Sequence, residues 1–76
     1  MYSEKAKYEI SIQGHLDKRW AARFEEMSLE NTFDGQGSPV TVLSGMVIDQ
    51  PALHGILAKI RDLGITVISV NRIESK

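Results

Sequence analysis

The chain has 76 residues, of which 42% are hydrophobic and 25% are charged, a composition typical of one small globular domain rather than of a disordered chain. Its net charge of −1 gives no electrostatic basis for binding nucleic acid or an anionic membrane surface. The absence of cysteine excludes disulfide bonds and thiolate chemistry, and no apolar run reaches the length that spans a membrane.

A domain this short buries only a modest fraction of its surface, so we expect it to form a homodimer or to dock on a protein partner. Residues 1–6 are polar and are predicted to be disordered, and they lack the hydrophobic region of a signal peptide. We therefore expect a single domain over residues 1–76 in the cytoplasm, with neither a membrane nor a nucleic acid as its partner.

The first predicted strand covers residues 7–13. Tyr8, Ile10 and Ile12 alternate there with polar residues, which is the pattern of a strand with one buried face. Gly14 is expected to end the strand.

A helix is predicted after this strand, with Asp17 as its N-cap and with Leu16 free to pack on Ala21 as a hydrophobic staple. Its apolar side consists of residues at helical spacing, namely Leu16, Trp20, Phe24 and Met27. At this helical phase Trp20 belongs to the core, and the alternative is an interface hot spot.

A hairpin is predicted in the middle of the chain. Residues 29–33 form a weaker alternating strand, and the cluster DGQGSP at residues 34–39 has the composition of a turn. A third strand over residues 40–48 is apolar on both faces, and Gly45 is expected to mark a bulge within it.

The best-defined element is a helix between Asp49 and Gly64. Asp49 is the predicted N-cap, Pro51 lies in the first turn where its missing N–H costs nothing, and Gly64 suits the left-handed residue after the helix. The apolar residues of one helical face are Leu53, Ile56, Leu57, Ile60 and Leu63. Residues 65–70 follow as a fourth strand that is predicted to be buried on both faces.

This order of elements, βαββαβ, predicts an α+β fold of the ferredoxin-like kind, a four-stranded antiparallel sheet with two helices on one face. The expected spatial order of the strands is fourth, first, third, second. Such a topology places Gly14, His15, Asp17, Asp34 and Asp62 at one edge of the sheet, whereas Asp49 and Gln50 lie at the opposite edge.

The candidate ligand or interface residues are His15, Asp17, Asp34, Trp20, Asp49, Gln50, His54 and Val67. His15 with Asp17 and Asp34 could form a carboxylate–imidazole site, but a loop histidine beside two turn-forming aspartates is favoured. For His54 a boundary histidine bonded to a neighbouring element is favoured over a ligand.

No catalytic, cofactor-binding or metal-binding residue is predicted. The two histidines are expected to lie on the order of 15–20 Å apart, and zinc needs three or four ligands at close range. The chain contains none of the spacings GxSxG, Walker A, HExxH or GxGxxG. The outward residues of the two central strands include no aromatic residue, which excludes the base stacking of an RNA-recognition sheet.

Two segments, GHLDKRW at residues 14–20 and VIDQPALHGILAKIRDLGITVISV at residues 47–70, resemble a family of small, uncharacterised prokaryotic proteins. That family carries the motifs G-H-L-x-x-R-W and D-Q-x-A-L-H-G-x-L-x-K-I-R-D-L-G. The resemblance covers nearly the whole chain and implies a fold, but it implies no activity.

A second, local resemblance involves the helix and strand that begin at Asp49. The spacing of Asp49, Pro51, Gly64, Ile65, Ser69 and Val70 is similar to that of ACT domains, which are ferredoxin-like modules that bind amino acids at dimer interfaces. Ala52 stands where ACT domains favour glycine, and the unit here is the second βαβ half where theirs is the first.

The leading functional hypothesis is a non-catalytic interaction module that self-associates or docks on a protein partner. Its basis is a short chain with strands that are apolar on both faces, and Val67 and Ile68 are expected to point to opposite faces of the last strand. The alternative is an ACT-like module that senses a small ligand such as an amino acid.

Overall fold

The structure, a computed structural model, describes residues 6–21, 24 and 27–73. Its elements are β1 (Ala6–Gln13), α1 (Lys18–Ala21), β2 (Ser28–Phe33), β3 (Pro39–Val47), α2 (Gln50–Asp62) and β4 (Val67–Ile73). The four strands form one antiparallel sheet in the order β2-β3-β1-β4. The fold is therefore α+β, and β1 and β3 are its two central strands, as the sequence predicted.

The predicted alternation of β1 is confirmed, because Tyr8, Ile10 and Ile12 are buried while Lys7 and Gln13 are exposed. Ile10 of β1 lies directly opposite Leu43 of β3 on one side and Val70 of β4 on the other, and these pairs define the register of the three strands. The core lies on this face of the sheet, and its buried members are Ala6, Tyr8, Ile10, Ile12, Leu16, Phe24, Met27, Leu43, Val47, Leu53, Ile56 and Ile60.

Both ends of α2 are as predicted. The Asp49 carboxylate accepts a hydrogen bond from the Ala52 amide at 2.9 Å, which satisfies one of the unpaired donors of the first turn. At the other end Gly64 has φ +73, its amide bonds to the Arg61 carbonyl at 2.9 Å, and the Ile65 amide bonds to the Ile60 carbonyl at 3.3 Å. This pair of bonds is the Schellman arrangement that stops a helix at a glycine.

The predicted first helix is described over the single turn of α1. The Asp17 carboxylate accepts from the Arg19 amide at 3.0 Å, as an N-cap does. Leu16, Phe24 and Met27 of the predicted apolar side are buried, and Trp20 is half-buried against the core. The proposed packing of Leu16 on Ala21 and the helical course through residues 22–23 and 25–26 lie outside the described residues.

The hairpin turn also forms as predicted. The Asp34 carboxylate accepts from the amides of Gln36 at 2.8 Å and Ser38 at 2.9 Å, and Gly37 adopts φ +83. An aspartate that bonds its own turn and a left-handed glycine before the returning strand are the usual components of a short hairpin loop.

Three expectations about the strands are wrong. Ala6 belongs to β1 and is buried, so the predicted disorder does not include it; residues 1–5 lie outside the described part of the chain. Gly45 marks no bulge, because β3 keeps a regular register with both neighbours. β4 covers Val67–Ile73 rather than residues 65–70, and it is largely exposed instead of buried on both faces. The reason is its place at the edge of the sheet, where β1 is its one neighbour among the described strands.

The bulge of this sheet lies in β4. Ser11 faces Ser69 and the next residue, Ile12, faces Val67, so Ile68 is an extra residue in the edge strand. Val67 and Val70 consequently lie opposite Ile12 and Ile10, on the core side of the sheet, although they are three residues apart. The alternation of side chains is interrupted at a bulge, and the expectation that Val67 and Ile68 point to opposite faces remains a prediction.

No helix among residues 6–21, 24 and 27–73 is long and apolar enough to cross a membrane. The cytoplasmic location remains a prediction.

Candidate functional site

β4 carries three of the large exposed apolar residues of the described part of the chain. Val67, Ile68 and Val70 are 37%, 55% and 39% exposed, and all three lie within four consecutive residues. Their strand is hydrogen-bonded to β1 on one side, so the backbone groups on its other side face outward. A strand edge of this kind is a template on which another strand can pair.

The opposite edge, β2, is less apolar. Its exposed residues include Ser28, Glu30 and Asn31, and its large exposed apolar residue, Phe33, is in contact with a histidine ring. Glu30 places a charge in the middle of this strand, which is a common protection of a sheet edge against pairing with other chains.

His15 lies where the sequence places it, beside the β2–β3 hairpin. Its Nε2 donates to the Thr32 carbonyl oxygen at 2.7 Å, and its ring meets the Phe33 ring edge-on with centroids 4.9 Å apart. The Asp34 carboxylate is occupied by its own turn, and the Asp17 carboxylate lies 3.5 Å from the Arg19 guanidinium. The described contacts thus hold the imidazole against the strand, and neither carboxylate bonds to it.

A buried polar cluster, which the sequence analysis missed, fixes the loop that carries His15. The Thr41 hydroxyl is fully buried, lies 2.7 Å from the Gly14 carbonyl and 2.8 Å from Asn31 Oδ1, and accepts from the Leu16 amide at 3.0 Å. Because β3 brings Thr41 opposite both Ile12 and Asn31, a single hydroxyl reaches the loop after β1 and the side chain of β2. The sequence signal was a threonine near the start of a mostly apolar strand.

Asp49 and Gln50 lie at the other end of the sheet. Asp49 caps α2, and Gln50 Nε2 lies 3.4 Å from the Tyr8 hydroxyl, near the start of β1. Their positions separate them from His15, which follows the end of β1. His54 is exposed on α2, in the N-terminal half of that helix.

A groove of about 240 Å³ lies between the end of β3 and one side of α2. Its lining is mostly apolar and consists of Met46, Val47, Ile48, Ala52, Gly55, Ile56 and Lys59. The Lys59 ammonium lies 5.9 Å from the centre of the Phe24 ring, within the range of a cation–π contact. The backbone at Gly55 is open, since a methyl group added there would meet no atom within 4 Å.

No group of three or more histidine, cysteine, aspartate or glutamate side chains that could hold a metal ion occurs in the described part of the chain. The absence of zinc from the purified protein remains a prediction.

The site and fold together define a small α+β domain that presents an apolar strand at the edge of an antiparallel sheet. Residues 7–71 match the family described as "Domain of unknown function (DUF8691)", and the chain belongs to that family. No curated protein and no solved structure matches the chain.

Proposed function

We propose that this domain is a non-catalytic interaction module that self-associates, or docks on a protein partner, through the exposed edge of β4. The observation that carries the proposal is the exposure of Val67, Ile68 and Val70 on a strand that pairs with β1 alone among the strands that the structure describes. Burial of such side chains contributes about 25 cal/mol per Å² of apolar surface removed from water, and the lost freedom of the two partners opposes this gain. Pairing of the outward backbone groups adds direction and register.

The bulge at Ile68 limits how a partner can bind. An extra residue bends and twists the strand locally, so indefinite stacking of flat strands is disfavoured. Arg72, near the C-terminal end, is the single charged residue of β4. Residues 67–70 carry no charge. An edge with this pattern favours one defined partner over open-ended aggregation.

The test is the mass of two charge variants, Val67→Asp and Ile68→Asp. Ile68 is 55% exposed, so Ile68→Asp should fold with a stability within about 0.5 kcal/mol of wild type, whereas Val67 is 37% exposed and lies opposite Ile12 on the core side, so Val67→Asp should lower the stability more. Each should however lose self-association, because a carboxylate at the paired edge would have to be desolvated. Light scattering gives the mass, and circular dichroism with denaturant gives the stability.

Phe33→Asp is the matched control, since Phe33 is also exposed, at 62%, but lies on β2 at the opposite edge. We expect its mass to equal that of the wild type. A wild type that is monomeric at high concentration, together with unchanged binding of every protein partner by the β4 variants, contradicts the proposal.

The finer fold assignment is part of the same proposal. The ferredoxin-like sandwich has two helices on one face, and the packing of Lys59 of α2 over Phe24 supports a second helical segment beside α2. The burial of Leu16 and Met27 on either side of Phe24 in the chain supports it as well. Helix content from circular dichroism that exceeds the residues of α1 and α2 would agree with this assignment.

The second candidate is an ACT-like module that senses an amino acid, and the groove beside α2 is the observation that favours it. A volume of about 240 Å³ is large enough for an amino acid, below the usual range of drug-sized sites. The test is a thermal-shift screen against amino acids and nucleotides, because a ligand that binds the native state raises its melting temperature. Gly55→Leu should fill the groove and abolish any shift caused there.

A further inference from the structure

The tip of the β2–β3 hairpin carries the pair Asp34–Gly35, and both residues are exposed. A glycine that follows an aspartate leaves its backbone nitrogen uncrowded, so this nitrogen can reach the carboxyl carbon of the aspartate side chain. A methyl group added to Gly35 would meet no atom within 4 Å, so the space beside this residue is open. The pair is therefore a candidate for a reaction within the chain.

The hydrogen bonds of the turn oppose that reaction. Asp34 Oδ1 accepts from the amides of Gln36 at 2.8 Å and Ser38 at 2.9 Å. The Asp34 carbonyl accepts from the Gly37 amide at 3.0 Å. Bonds from backbone amides to a carboxylate are charge-assisted and stronger than those between neutral groups. They hold the Asp34 carboxylate in place, whereas closure of a ring with the next residue requires it to rotate toward the Gly35 nitrogen.

We infer that Asp34 is a modification site, which converts to isoaspartate at a rate set by the opening of the hairpin turn. In the opened turn the Gly35 nitrogen attacks the protonated carboxyl group of Asp34. The new bond joins this nitrogen to Cγ, and the proton of the nitrogen leaves with the carboxyl hydroxyl as one water molecule. The product is a cyclic imide, a succinimide.

Hydrolysis opens this imide in two ways and restores the water that was lost. Cleavage between the nitrogen and Cγ regenerates aspartate. Cleavage between the nitrogen and the former backbone carbonyl carbon leaves the chain running through Cγ, which is isoaspartate. The composition of the chain is unchanged, and the reaction needs no oxidant, reductant or further reactant besides water.

Isoaspartate changes the hairpin at its turn. The backbone gains one carbon atom at position 34, and the free carboxylate starts from Cα, so the present bonds to the amides of Gln36 and Ser38 are lost. The pairing of β2 with β3 begins beside this turn, with Phe33 opposite Pro39. We therefore expect the modified chain to unfold at a lower urea concentration than the unmodified chain.

The test follows isoaspartate while the full chain is incubated at mildly acidic pH. A protease that cleaves before aspartate and not before isoaspartate, combined with mass spectrometry, measures the modified fraction at position 34. Gly37→Ala is the variant that opens the turn, because Gly37 has φ +83, a conformation that strains alanine. Gly64→Ala is the matched control, since Gly64 has φ +73 but follows α2, outside the hairpin.

We expect Gly37→Ala to form isoaspartate several-fold faster than either the wild type or Gly64→Ala. Gly35→Ala should react several-fold more slowly than the wild type, because its methyl group crowds the attacking nitrogen while the φ of Gly35 suits alanine. Circular dichroism verifies that each variant is folded.

Three outcomes would overturn the inference. Equal acceleration in Gly37→Ala and Gly64→Ala would assign the rate to unfolding of the whole domain instead of to the turn. A wild type that reacts as fast in its folded state as in urea would show that the turn gives no protection, and this comparison needs no variant. Absence of isoaspartate at position 34 even in urea would remove the site itself.

Discussion

Gly64 determines where α2 ends. Its φ of +73 is a left-handed conformation that glycine adopts readily and a β-branched residue does not. A methyl group added at this position would meet no atom within 4 Å, so steric contact with the rest of the domain plays no part. The cost of a substitution there comes from the backbone alone.

We predict that Gly64→Val lowers the free energy of unfolding by more than about 1 kcal/mol, because valine is strained in the left-handed cap. Urea denaturation followed by circular dichroism measures the loss. Gly55→Ala is the matched control, because Gly55 lies inside α2 with equally open space around it and without a positive φ. This substitution should raise the free energy of unfolding by roughly 0.5–1 kcal/mol. A Gly64→Val variant as stable as the wild type would show that the Schellman arrangement is absent in solution.

Thr41 holds the loop that follows β1. We predict that Thr41→Val costs roughly 1–3 kcal/mol, because the isosteric change leaves the Gly14 carbonyl and the Leu16 amide without their closest partner. Thr41→Ser keeps the hydroxyl and loses a buried methyl group, worth about 0.8 kcal/mol, so it should be the milder change. Equal stability of the valine variant and the wild type would mean that the buried hydroxyl contributes no net stabilisation.

At the scale of elements, α2 is held by its two ends as well as by its apolar face. Asp49 at the N-terminus accepts a hydrogen bond and lies at the positive end of the helix dipole, whereas Asp62 at the C-terminus lies at the negative end. Asp62 also pairs with Arg61 at 3.5 Å, but both side chains are largely exposed, and such a pair contributes little.

We predict that Asp49→Ala destabilises the domain by about 1 kcal/mol, within the usual range for the loss of an N-cap. Asp62→Ala removes the same charge from the same helix and should leave the stability unchanged or slightly raised. Thermal and urea unfolding of the two variants measure the difference. If Asp49→Ala and Asp62→Ala lower the stability equally, the loss comes from the change in net charge and not from the N-cap.

At the scale of the whole molecule, the two histidines lie in different parts of the fold. His15 is bonded to the Thr32 carbonyl beside the hairpin, and His54 is exposed on α2, whose N-terminus lies near the start of β1. The acidic side chains Asp17 and Asp34 are engaged in contacts within their own turns.

We predict that the purified protein contains no stoichiometric zinc, because a zinc site needs three or four ligands in tight geometry. Elemental analysis of protein purified without a histidine tag measures the metal content. Near-equimolar zinc would contradict the separation of the two histidines.

The sequence by itself determined the features that depend on near neighbours. The alternation in β1, the aspartate-bonded hairpin turn at Asp34, and both ends of α2 follow from residues within five positions of one another. Hydrogen bonds and backbone conformations between residues this close in the chain depend on the local sequence alone. Periodicity and capping rules therefore predict them.

Tertiary structure alone decided the features that depend on pairing between distant residues. The sequence predicted the strand order that puts β4 at the edge, but it did not predict the exposure of Val67–Val70, which follows from the pairing of β4 with β1 on one side. The bulge at Ile68 comes from the register with β1, and the polar cluster at Thr41 joins residues 10 to 27 positions apart. The physical reason is the same in each case: hydrophobicity states how much a residue gains by burial, whereas topology decides which neighbours are present to bury it.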